Sequence, residues 1–136
     1  MTHSSRLRSR RDFLAACATG LVGLAGWRPA GPGPHPEPRP GIDGSRVLTA
    51  EQLADHPDLI PLFDGIRAIP HIADGIRCTC GCADLPGYRS FLLCFEGDGM
   101  AQWCERCQTT GAMIIRLHGS GRSLDQIRAA VDARFP

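Results

Sequence analysis

The chain has 136 residues, with 15 Arg and no Lys against 14 Asp and Glu, and a formal net charge of +1. That length allows one modest domain. From position 46 onward nine Arg face eleven Asp and Glu, a balance of −2 that leaves no basic footprint for nucleic acid. There is no His-Glu-x-x-His, no serine-nucleophile motif and no phosphate loop, so the sequence offers no hydrolytic machinery and points away from an enzyme.

Residues 1–26 read as a targeting segment: Arg6, Arg8, Arg10 and Arg11 precede an apolar run over 13–26. Ser9-Arg10-Arg11-Asp12-Phe13-Leu14 resembles a twin-arginine signal, which implies export of an already folded protein to a periplasmic or extracytoplasmic space. The run is shorter than the ~20 residues of a membrane span and is diluted by glycine. We expect cleavage near Ala25 and membrane association only through this segment, with lipidation of Cys17 in Leu14-Ala15-Ala16-Cys17 as the alternative.

Residues 27–45 carry six prolines between Pro29 and Pro40, interleaved with glycine. Such a stretch supplies no helix or sheet hydrogen bonds and is expected to be an extended spacer with His35 in solvent. The domain proper is expected over 46–136.

Thr49-Ala50-Glu51-Gln52 has the form of a capping box and predicts a short helix closed by Pro57. Leu59, Leu62, Phe63, Ile66 and Ile69 recur at helical spacing and predict a helix over 58–69, broken by Pro70. His71 reads as a surface residue. Phe91, Leu92, Cys94 and Phe95 predict a short helix or strand. A helix over 101–118 would put Cys104, Cys107, Gly111, Ile114, Ile115 and His118 on one inward face. After Gly119-Ser120-Gly121, a second capping box at Ser123-Leu124-Asp125-Gln126 opens a helix burying Leu124, Ile127, Val131 and Phe135. These elements define a small all-α domain with an irregular Cys-rich loop.

Six of the seven cysteines fall between positions 78 and 107: Cys78, Cys80 and Cys82 in an alternating run, then Cys94, then Cys104 and Cys107. Two Cys one residue apart in extended chain have Cα atoms ~6.6 Å apart on one face, near the upper limit for a disulfide. If the strand curls at Gly81, which can take positive φ, the three sulfurs can converge on one cation. All six are therefore candidate metal ligands. Sulfur in excess of four favours Cu(I), which takes soft thiolates and shares them between ions, over a structural zinc. Met100 and Met113 are candidate thioether ligands that read more simply as core. Two alternatives stand beside the metal: three disulfides stapling an interaction module, and a redox dithiol at Trp103-Cys104-Glu105-Arg106-Cys107. The redox reading lacks the strands of a thioredoxin-like fold around its motif.

Arg77-Cys78-Thr79-Cys80-Gly81-Cys82, Arg89-Ser90, Cys94-Phe95, Cys104-x-x-Cys107 and the ending Gly121-Arg122-Ser123-Leu124-Asp125-Gln126-Ile127-Arg128 together resemble the bacterial exported proteins named for a PCYCGC motif, over residues 57–135. Arg77 and Thr79 stand where the motif has Pro and Tyr, and residues 83–88 contain no histidine. The resemblance implies export and a cysteine site, and leaves the protein partner and the reaction open.

Overall fold

The computed structural model describes residues 33–136; the stretch 1–26 read as a targeting signal, with Cys17, and the first part of the spacer lie outside the described residues. Within them the fold is all-α, with four α-helices, several 3-10 turns and no strand.

Helix α1 (Ile60–Ala68) follows a 3-10 turn at Pro57–Leu59, and Pro61 sits in its first turn, where its missing N–H costs nothing. Leu59, Phe63 and Ile66 are buried at the predicted spacing. The chain breaks at Ile69, and Pro70 becomes the first residue of a short helix α2 (Pro70–Asp74). Phe91–Phe95 forms a 3-10 turn that inserts Phe91, Leu92, Cys94 and Phe95 into the core. There the ring of Phe95 meets Phe63 at 4.8 Å and Phe91 at 5.2 Å, both edge to face. Helix α3 (Glu105–Gly119) lies against this cluster. It comes close because Gly111 has no side chain: a Cβ there would stand 2.9 Å from Leu62 Cδ1 and 3.2 Å from Phe95 Cζ. Helix α4 (Leu124–Arg134) begins with the predicted reciprocal capping box and packs on α3 through Ile127, Val131 and Phe135, while Leu124 is only half-buried. Among the described residues no helix is long and apolar enough to cross a membrane.

Three expectations are corrected. The Thr49 and Gln52 capping bonds form, at 2.9 and 3.4 Å, yet residues 50–55 are turns rather than a helix. The Cys104 helix starts at Glu105, not 101, because Gly99 at φ 58° leads into a separate 3-10 turn at Met100–Gln102 and Cys104 is extended.

The spacer is also not free where it is described. Asp74, fully buried, accepts hydrogen bonds from the Arg39 N–H at 2.7 Å and from its guanidinium at 2.9 and 3.1 Å. Arg89 Nη1 at 3.0 Å and Ser90 Oγ at 2.7 Å complete the shell. His35, expected in solvent, has a side chain only 10% exposed; its Nδ1 accepts from the Arg77 N–H and its Nε2 faces Asp132 Oδ1, both at 3.1 Å. The guanidinium of Arg128 reaches the Pro36 carbonyl at 2.8 Å. The described part of the spacer, which forms neither helix nor strand, is held by side chains of the domain it precedes.

Candidate metal centre

Three elements bring the six sulfurs together. The first is the loop of residues 77–90, closed at its base by the Phe91 N–H donating to the Ile76 carbonyl at 2.7 Å. Gly81 adopts φ 88°, the left-handed region predicted for it, and so curls the run and starts a 3-10 turn at Cys82–Asp84. Cys78 Sγ and Cys80 Sγ then lie 3.1 Å apart, as do Cys80 Sγ and Cys82 Sγ. The second element is the Phe91–Phe95 turn, which sets Cys94 Sγ 3.5 Å from Cys78 Sγ. The third is the start of α3. Cys107 Sγ stands 3.6 Å from Cys80 Sγ, and Cys104 caps the helix, its sulfur accepting from the Cys107 N–H at 3.2 Å.

The sulfurs converge in threes: Cys78, Cys80 and Cys82; Cys78, Cys94 and Cys107; Cys80, Cys104 and Cys107, each group within 4.8 Å throughout. These groups can hold a metal ion, since thiolates around one ion at ~2.3 Å lie about 4 Å apart. Cys78, Cys94 and Cys107 are almost wholly buried and Cys82 nearly so, while Cys80 and Cys104 are half-buried. None of the six is in a disulfide, and the 3.1 Å between Cys78 Sγ and Cys80 Sγ is far longer than the ~2.05 Å of an S–S bond. All six residues singled out in the sequence are thus gathered in one place. Met100 joins them, its Sδ 3.1 Å from Cys82 Sγ; Met113 packs half-buried against the core. His71 is exposed, its ring edge-on to His118 at 5.7 Å, and no converging group among the described residues contains a histidine.

The protons are unevenly held. Hydrogen bonds from Cys107 and then Cys94 pull the Cys78 thiol far below its ordinary value. Burial, with the bonds to Cys78 and Cys82, pushes Cys80 up to about 12. Burial also raises Cys82. Cys107 is raised by its bonds to Cys78 and Cys94 and by burial. For Cys94 the bond with Cys107 lowers the value, but Cys78 and burial together lift it well above normal.

Sequence reasoning missed the residues that hold the loop. In the alternating run the sulfurs gather at 78, 80 and 82, while the side chains of Arg77 and Thr79 face the scaffold. The Arg77 guanidinium reaches Asp132 at 2.9 Å and the Phe135 carbonyl at 3.3 Å. Thr79 Oγ1 meets Thr110 Oγ1, and its carbonyl accepts from Arg106 Nη1 at 2.8 Å. The period-two spacing was a signal for this, since alternate residues of an extended run point opposite ways.

Fold and site define a small all-α domain built around a six-thiol cluster. Comparison with protein-family models, characterised proteins and solved structures finds no match to this chain.

Proposed function

We propose that this protein binds Cu(I) through the thiolates of Cys78, Cys80, Cys82, Cys94, Cys104 and Cys107, and stores or delivers it in the extracytoplasmic space without catalysing a reaction. The observation that carries the reading is the convergence of six unbonded thiols into groups of three. Zinc in protein sites takes four ligands in a tetrahedron, whereas Cu(I), a soft ion, is satisfied by three thiolates and shares them readily. Burial of most of the sulfurs protects a cuprous ion from water and oxidant, and half-buried Cys104 offers a point of exchange beside exposed Trp103. The twin-arginine-like segment supports the location, because a cluster filled before export is shielded from oxidation outside.

The test is anaerobic titration of the purified protein with Cu(I) against a competing chelator, with zinc in parallel. Tight Cu(I) binding, weaker zinc binding and a sharp loss of affinity in Cys80→Ser are expected. Six half-cystines with no tight binding of either ion would favour a disulfide-stapled module, and turnover of a disulfide substrate through Cys104 would favour a redox role for Cys104 and Cys107.

A further inference from the structure

The three sulfur groups are related to one another in a particular way. Each pair of groups shares one residue: Cys78 joins the first to the second, Cys80 the first to the third, and Cys107 the second to the third. The three shared residues are themselves a triangle, with Cys78 to Cys80 at 3.1 Å, Cys80 to Cys107 at 3.6 Å and Cys78 to Cys107 within 4.8 Å. Cys82, Cys94 and Cys104 each cap one edge of it. A triangle whose three edges are capped by three further points has nine of the twelve edges of an octahedron; the three groups lie on three of its four alternate faces, while the inner triangle, itself within 4.8 Å, lies on the other set of faces. The fourth alternate face is Cys82, Cys94 and Cys104.

From this connectivity we infer that the site is a cage of six thiolates for four Cu(I) ions, one on each alternate face, with every sulfur bridging two ions. The inference rests on the Cu(I) reading above. The inner sulfurs Cys78, Cys80 and Cys107 already belong to two groups each, whereas the outer three belong to one and have a lone pair left for a second ion. The fourth ion is the one held by Cys82, Cys94 and Cys104, the three outer sulfurs that close the cage. Charge favours the full cage: six thiol protons leave as four monovalent cations enter, for a net charge of −2, where three ions would leave −3 in a largely buried volume. Arg106 is placed to offset that charge. It donates to the Thr79 carbonyl between two ligands, lies 5.2 Å over the Phe135 ring, and has no carboxylate partner among the described residues.

The number of ions is read by native mass spectrometry of the full chain titrated anaerobically with Cu(I), with X-ray absorption reporting copper–copper neighbours. We expect four ions to load together, with one- to three-ion species sparse, and trigonal sulfur coordination with a copper–copper shell. In a cage of alternate faces every sulfur is equivalent, so Cys80→Ser and Cys104→Ser should each leave two intact faces and fall to two ions. A wild-type maximum of three ions, with one left in Cys80→Ser and two in Cys104→Ser, would overturn the cage and leave the Cu(I) reading standing. Isolated ions without a copper–copper shell would overturn it as well, in a measurement on the wild type that needs no variant to fold. Absence of tight Cu(I) binding would remove the parent reading too.

Discussion

The hydroxyls of Thr79 and Thr110 meet at 3.1 Å, both buried, one in the cysteine loop and the other on α3 three residues after Cys107. This contact fixes the distance between two of the three elements that carry the sulfurs.

Replacing Thr110 with Val keeps the volume and strands the Thr79 hydroxyl. Thr110→Val should destabilise the domain by about 1 to 3 kcal/mol in chemical denaturation, and the double change Thr79→Val/Thr110→Val should cost less than the sum of the singles. Strict additivity would show that the two hydroxyls do not act together.

Asp74 governs acid stability. Burial alone would raise its carboxyl, but the hydrogen bonds from Arg39 and Ser90 outweigh it and hold the group down to about 2. For an acid so depressed, the stabilisation is complete above the unfolded value near 3.8 and is lost as pH falls through 2. The difference corresponds to about 2 kcal/mol. Asp74→Asn should flatten the pH dependence of urea denaturation over that range, and an unchanged profile would count against the network.

The ring of His35 is held neutral. Burial lowers its value, as do Arg77 and Arg128, against the opposing pull of Asp132. Its Nδ1 accepts the Arg77 N–H, so a proton added there meets another hydrogen. A base with a lowered folded value gives stability that is full above the unfolded 6.5 and declines as pH falls below it. Residues 33–45 should therefore become more open to protease between neutral pH and pH 5, and His35→Ala should show that cleavage already at neutral pH. Equal resistance at both pH values would contradict a role for His35 in holding this segment.

Both carboxylate oxygens of Glu96 are buried without a hydrogen-bond partner, and the nearest cation, Arg46, has its Nε 3.8 Å away. Burial raises its value, opposed by Arg46 and Arg39. A raised acid loses its stabilisation as pH climbs through the folded value, so at pH 7 Glu96 is a cost. Glu96→Gln should raise stability at pH 7 by about 1 kcal/mol and change little at pH 4. A lower melting temperature at pH 7 would refute this.

Truncation before Ser123 removes Ile127, Val131 and Phe135, each buried against the rest of the domain. At about 1.5 to 3 kcal/mol per side chain, the loss exceeds what a domain of this size can spare. An intact cooperative melt by circular dichroism in the truncated protein would show that α4 is dispensable.

Helix positions were legible where local chemistry and periodicity agreed. Phe63 and Ile66 at helical spacing, and the reciprocal bonds of Ser123 and Gln126, needed nothing from elsewhere in the chain. The start of α3 was not legible because its N-cap is a thiol, outside the usual set of Ser, Thr, Asp and Asn. The docking of the proline-rich segment depends on Arg39 meeting Asp74 across 35 positions, a pairing for which neither residue carries a local sign. The sulfur cluster was legible as a set of residues from spacing alone. Its division into linked threes was not, since that depends on where Cys94 and Cys107 arrive from the core and from α3.

The single main-chain bond from Phe91 to Ile76 makes a ring of residues 77–90, with three sulfurs on it. Towards a cation the chain therefore acts as a macrocycle acts, with the entropy of ring closure already met by the phenylalanine core beneath it. An arriving ion has little chain to organise, in contrast to small zinc domains that fold only when metal binds. Under the proposed Cu(I) role the binding energy goes into affinity, because the ring that carries three of the sulfurs is already closed.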